Sequence, residues 1–166
     1  MISIKKSGKL SANTGKMKIT PKKINAFMFF KLPLAWLSGM RVKKLNETTC
    51  EVFIKHKWIN QNPFKSMFWA AQGMAAEMST GVLVMQEIEK SKRNVSMLVT
   101  HQEGDFFKKA TGKILFTCKG GSQIREAIQR SIETGEGQDI ILLSEGINAD
   151  NIKVSSFKFQ WSLKVK

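Results

Sequence analysis

Residues 63–88 read PFKSMFWAAQGMAAEMSTGVLVMQEI, and this stretch decides the fold. Pro63 follows the breaker cluster Asn60-Gln61-Asn62. From Phe64 to Ile88 the composition is helical, with Ala70, Ala71, Ala75 and Ala76, four methionines, and few strand formers before Val82. Between Met67 and Met85 only Gln72 and Glu77 are strongly polar. A helix apolar on nearly every side is either buried in a core or spans a membrane. Spanning would put Glu77 near the bilayer centre, an expensive place for a carboxylate. Gly73 and Gly81 weaken a lone span, and no second one accompanies it. The segment therefore reads as a core helix beginning at Pro63.

Around it the period changes to two. Arg41–Leu45 and Thr48–Ile59 flank Asn46-Glu47 as a hairpin, with Cys50, Val52, Ile54, His56 and Trp58 on one face. Ahead of them, Thr20-Pro21 starts a short helix through Lys31 anchored by Phe27, Phe29 and Phe30, which Pro33 breaks. A short turn, Leu34–Leu37, ends at Gly39. After the core helix, Val95–Glu103 and Lys109–Lys119 alternate and are expected to pair through Gly104-Asp105. Ser122 is expected to cap a helix to Thr134, closed by Gly135. Strand Gln138–Glu145 and the turn Asn148–Asn151 follow. In the last strand Phe157, Phe159, Trp161, Leu163 and Val165 share one face, and Ser156, Lys158, Gln160, Ser162 and Lys164 share the other. Such a strand belongs to an antiparallel sheet packed on a helix. The fold class is α+β, one domain over residues 20–166.

Length and composition agree. A chain of 166 residues, 42% hydrophobic and 24% charged, suits one globular domain. The net charge of +14 is uneven: residues 1–23 carry seven lysines and no acid. Residues 1–19, rich in Ser, Asn, Thr and Gly, read as a disordered basic arm. Basic residues spread over the rest attract polyanions such as nucleic acid, anionic lipid or nucleotide phosphates. The aromatics fall on faces that read as buried, which argues against a base-stacking nucleic-acid platform. Lysines ahead of Ile24–Leu37 outline an export signal, but Lys31 and Pro33 interrupt it. Cys50 and Cys118 are too few for a disulfide framework or a four-ligand zinc site, and both sit in strand-like runs. They read as buried free thiols, in keeping with a cytoplasmic location. His56 and His101 read as ordinary sheet histidines. No nucleotide-binding, metal-binding or serine-hydrolase motif occurs, so no metal or cofactor is expected.

A hairpin, one long buried helix, then further antiparallel strands is the layout of the hotdog fold. Trp58-Ile59-Asn60-Gln61-Asn62-Pro63-Phe64, followed by Ser66 through Glu77, resembles the central-helix start of a bacterial branch of the hotdog thioesterase superfamily. That branch is similar to the PaaI-like acyl-CoA thioesterases of phenylacetate breakdown, and Phe106-Phe107-Lys108-Lys109-Ala110-Thr111-Gly112 supports the likeness. The resemblance implies a homodimer or dimer of dimers that binds an acyl-CoA or related acyl thioester between subunits. It places the family's asparagine at Asn62 and its carboxylate at Glu77. Where the family has His-Gly-Gly, this chain has Phe68, Trp69 and Ala70. The family's glycines let a thioester approach the helix N-terminus, so bulky side chains here reshape that approach. A non-catalytic acyl-binding module therefore stands beside the hydrolase.

Glu77 stands out without any family. A carboxylate in an apolar helix must be paired, hydrogen-bonded or protonated. Gly73 and Gly81, one turn to either side, make a stripe without side-chain bulk. Glu77 is then a general base or nucleophile on a thioester, or a structural carboxylate at a tightly packed interface. Asn62 orients a water or carbonyl, or caps the helix. In the related thioesterases the strand at this place helps bind CoA, so the resemblance implies that Lys108, Lys109 and Lys113, placed around a 106–119 hairpin, bind its phosphates; the alternative is a solvated strand face.

Overall fold

The computed structural model describes residues 19–166. The arm expected over residues 1–19 lies, apart from Ile19, outside the described residues. Six strands form one open antiparallel sheet: β1 (Arg41–Leu45), β2 (Cys50–Lys55), β3 (Val95–Phe106), β4 (Lys113–Cys118), β5 (Gln138–Ile147) and β6 (Lys153–Val165). Their order is β1-β2-β4-β5-β6-β3. The helices are α1 (Pro21–Lys31), α2 (Pro33–Leu37), α3 (Trp69–Ser91) and α4 (Gly121–Thr134). The long helix α3 packs against β2, β4, β5, β6 and β3, so the sheet wraps around it. This is the hotdog architecture.

From Phe157 to Lys164 the alternation of β6 does what its pattern predicts: Phe157, Phe159, Trp161 and Leu163 are buried, while Lys158 and Lys164 are exposed; Ser156, expected on the wetted face, is buried, and Val165 is only half-buried. Burying each such large side chain contributes roughly 1.5–3 kcal/mol. The polar groups of α3 that enter this interior find partners there, as buried polar groups must. Ser79 and Ser144 share a hydrogen bond of 2.7 Å between hydroxyls. The Trp161 indole donates to Thr80 Oγ1 at 3.1 Å. Ser155 donates to Gln72 Oε1 at 2.9 Å. These bonds tie α3 to β5 and β6. Cys50 and Cys118 are buried free thiols directly opposite each other on β2 and β4.

Several local expectations are corrected. Lys109–Lys119 does not pair with Val95–Glu103: β3 runs through Gly104 and Asp105 to Phe106 and pairs with β6, while β4 pairs with β2 and β5. Gly104 is needed because a Cβ there would lie 2.8 Å from the Phe157 ring, so it marks a close approach and not a turn. The strand expected over Thr48–Ile59 ends at Lys55, and Trp58 enters a 3-10 turn, Trp58–Asn60, with 86% of its surface exposed. The phenylalanines of α1 are not anchors: Ile24 and Met28 are buried, and Phe27, Phe29 and Phe30 face outward. α4 starts one residue before Ser122, at Gly121. Here the backbone of Thr48 is so close that a Cβ would lie 2.6 Å from its Cα.

Candidate active site

α3 begins at Trp69, not Pro63, because side chains ahead of it hold the chain in a tighter turn. Asn62 Oδ1 accepts hydrogen bonds from the backbone N–H of Phe64 (3.0 Å) and Ser66 (3.2 Å). Its Nδ2 donates to Ser66 Oγ at 3.0 Å. Lys65 takes a left-handed conformation with φ 56°. Such local side-chain bonds compete with helix formation. Asn62 thus holds the Asn62–Ser66 turn and leaves α3 uncapped. Asn60, buried, donates from its side chain to the carbonyls of Ser38 and Lys55, both at 2.9 Å, which fastens this approach segment to the body of the fold.

The first turn of α3 is correspondingly open. Phe68 occupies the cap position and offers no capping oxygen. Its own N–H donates to the Asn60 carbonyl at 2.8 Å, and the Met67 N–H donates to the Ala110 carbonyl at 2.8 Å. Among the described residues the N–H groups of Trp69 and Ala70 have no partner. The Phe68 and Trp69 rings, 5.8 Å apart, are both exposed. An uncapped helix N-terminus with free amides carries partial positive charge and suits a developing oxyanion.

Further along α3, most residues are buried, but one stripe is not. Trp69, Glu77 and Met85 are exposed, and Ala70, Gly73, Met74 and Met78 are partly so. Gly73 lies against Phe157 and Gly81 against Trp161. The Gly73–Glu77–Gly81 row therefore follows the edge of α3 that borders β6. Glu77 is open to solvent in the single chain, and its carboxylate has no hydrogen-bond partner among the described residues. Its apolar surroundings still disfavour the charge, and this desolvation raises its pKa above the ordinary carboxylate value. About 10 Å of helix axis separates Glu77 from the free amides at Ala70.

Lys108 and Lys109 are exposed in the segment that crosses from β3 to β4. Ala110, next to them, is the residue bonded to Met67, so these two lysines lie beside the start of α3. Lys113 instead places its ammonium 4.1 Å from the centre of the Phe53 ring. The structure thus groups Phe68, Trp69, Ala70, Lys108 and Lys109 at one end of α3, with Gly73 and Glu77 on its open stripe. Asn62 is engaged in its turn, and Gly81 is buried under Trp161.

The model of one protein family, described as a domain of unknown function (DUF4442), matches residues 20–163. The chain belongs to that family. No curated protein matches the sequence. Among solved structures, a Pseudomonas aeruginosa protein of unknown function described as a "probable thioesterase" superposes with a TM-score of 0.77 at 19% identity, over 92% of this chain and 100% of that one. A thioesterase from Haemophilus influenzae gives 0.68 at 10% identity, over 90% and 94%. The PaaI protein of the Escherichia coli phenylacetic acid degradation operon gives 0.60 at 13% identity, over 84% and 90%. At these identities the likeness establishes the hotdog fold for this member of the DUF4442 family.

The sequence reading missed Glu87. It is the buried carboxylate of α3, 3% exposed, and it bonds Lys90 Nζ at 2.7 Å and Arg125 Nε at 3.0 Å. The Glu87–Lys90 spacing was readable as an i,i+3 pair. Arg125, on α4, carried no such signal. Among the described residues no helix is long and apolar enough to cross a membrane, and no cluster of three metal-ligating side chains occurs.

Proposed function

We propose that this protein hydrolyses an acyl-CoA or a related acyl thioester at a site completed by a second copy of the chain. The observation that carries the proposal is Glu77, a carboxylate of raised pKa on the open, glycine-flanked stripe of α3, two turns from unpartnered backbone amides. In this reading the amides of Trp69 and Ala70 hold the thioester oxygen as it becomes an oxyanion. Glu77 takes the proton of a water that attacks the carbonyl carbon, and CoA leaves as the thiol. The separation of about 10 Å along the axis favours a base acting through water over direct attack by the carboxylate. Lys108 and Lys109, beside the start of α3, supply point charges for the CoA phosphates. The stripe is open on one side, which fits a site that a partner subunit closes, and the thioesterase descriptions of several neighbours support the reaction class.

The test is thiol release from a panel of acyl-CoA chain lengths by the purified protein, with Glu77→Ala as the control. Release that Glu77→Ala abolishes supports the proposal. A well-folded dimer that releases no thiol from any acyl-CoA in the panel overturns it.

A second reading, an acyl or acyl-CoA binding module without turnover, is favoured by the bulk of Phe68 and Trp69 at the helix entrance and by Met74 and Met78 beside Glu77. Methionine surfaces adapt to flexible apolar ligands. Thermal stabilisation by acyl-CoA without thiol release is its signature.

A further inference from the structure

The face formed by α1 and α2 is apolar, exposed and ringed by positive charge. Phe27 (51% exposed), Phe30 (74%), Leu34 (68%) and Leu37 (57%) point away from the fold. Only Leu32 separates the two helices: its N–H bonds the Met28 carbonyl, and its own carbonyl accepts from Trp36. The outward residues therefore form one continuous surface. Phe29 packs edge-on against Trp36 at 5.0 Å, which fixes the two helices side by side. An exposed apolar patch of this extent marks a binding surface.

Its charge says what it binds. The first 46 residues hold eleven of the 27 basic residues and none of the 13 acidic ones. Lys22, Lys23 and Lys31 are exposed on α1 itself, and the Arg41 guanidinium lies 3.2 Å from the centre of the Trp36 ring. Apolar and aromatic side chains beside lysines, on helices too short and too charged to span, are the composition of a segment lying in a membrane interface. A second copy of this face would bring the lysines of α1 against one another, and the acids nearest α1, Glu47 and Glu89, sit in the groove beside Pro21 at its start, so self-association through the face is disfavoured. Leucines at its centre offer nothing to a nucleic-acid base or phosphate.

We infer that the α1–α2 face docks on an anionic phospholipid bilayer. Phe27, Phe30, Leu34 and Leu37 enter the headgroup–acyl boundary, and Lys22, Lys23 and Lys31 face the lipid phosphates. Docking of this kind is peripheral and weakens with salt. It does not depend on the thioesterase reading, since none of these residues belongs to the proposed site.

The experiment is co-sedimentation of the full-length protein with vesicles of phosphatidylcholine alone or mixed with phosphatidylglycerol, at low and high salt. Binding is expected to the mixed vesicles, falling with salt, and to be weak on neutral ones. Phe27→Ser with Phe30→Ser, at exposed positions that leave the core intact, is expected to lower the affinity at least tenfold. Lys22→Glu with Lys23→Glu is expected to lower it as strongly. Circular dichroism and thiol release in solution should not change. Three results overturn the inference. The wild type ignores anionic vesicles; the phenylalanine variant binds as well as the wild type, so that basic residues elsewhere suffice; or that variant breaks an oligomer in light scattering, so that the face belongs to a second copy.

Discussion

A Cβ built on Gly73 of α3 would lie 3.6 Å from Cε1 of Phe157 on β6, an ordinary van der Waals distance. Packing therefore does not demand glycine there, and within a helix glycine is less stable than alanine by about 1 kcal/mol. Gly73→Ala should raise the unfolding free energy by about 0.5–1 kcal/mol. It should also slow thiol release, because the added methyl stands one turn from Glu77 on the open stripe. Chemical denaturation and a thiol-release assay on the same preparation check both halves. Unimpaired turnover would remove Gly73 from the site.

Gly121 is the opposite case. Its Cβ would lie 2.3 Å from the Glu47 carbonyl oxygen and 2.6 Å from Thr48 Cα, both backbone atoms. Gly121→Ala should push α4 from the β1–β2 turn and cost about 1–3 kcal/mol, the usual range for overpacking. A shift in the denaturation midpoint measures it.

The raised pKa of Glu77 has two consequences. In its proposed role as general base it acts ionised, so kcat/KM should rise with pH along a limb above the ordinary carboxylate range, and Glu77→Gln should abolish that limb. For stability, the folded chain holds this proton to higher pH than the unfolded chain. Between the unfolded and folded pKa values the native state thus binds more protons, and stability falls as pH rises. Glu77→Gln should match the wild type below the ordinary carboxylate range and melt higher than it at neutral pH. Equal melting temperatures at both pH values would show that the carboxylate is not desolvated.

If Lys108 and Lys109 meet the CoA phosphates, replacing both by alanine should raise KM for an acyl-CoA several-fold and leave kcat nearly unchanged, as expected for lost uniform binding. The same acyl group on pantetheine, which lacks the nucleotide, should show no such change.

Burial pushes the Cys118 thiol up to about 11, and burial with the facing Cys118 raises Cys50 further. Since the thiolate is the reactive form, neither should react with iodoacetamide at neutral pH in the native protein. Both should label on unfolding. Rapid labelling of the native protein would contradict the observed packing of β2 on β4.

Much of this architecture is written in local pattern. The two-residue period of β6, the long apolar run of α3, the Thr20-Pro21 start of α1 and the Gly135 stop of α4 all follow from backbone preference and one-sided burial. Both are properties of a few neighbouring residues. The resemblance carried by Trp58–Glu77 supplied the hotdog fold, and the sheet wrapped on α3 bears it out. What the sequence could not determine was non-local. Two alternating strands in succession look like a hairpin, but only the finished sheet sends β3 to its edge beside β6 and β4 to its interior. Asn62-Pro63 looks like a helix start until its hydrogen bonds to Phe64 and Ser66 are seen. Glu77 and Glu87 are ten residues apart on one helix, which places them about 80° apart around its axis. From sequence, Glu77 in its apolar run drew all the attention and Glu87 none. Arg125 of α4 and the packed core cover Glu87, and Glu77 is left on the open stripe. That difference depends on which elements pack against which face of α3, and only the tertiary structure decides it.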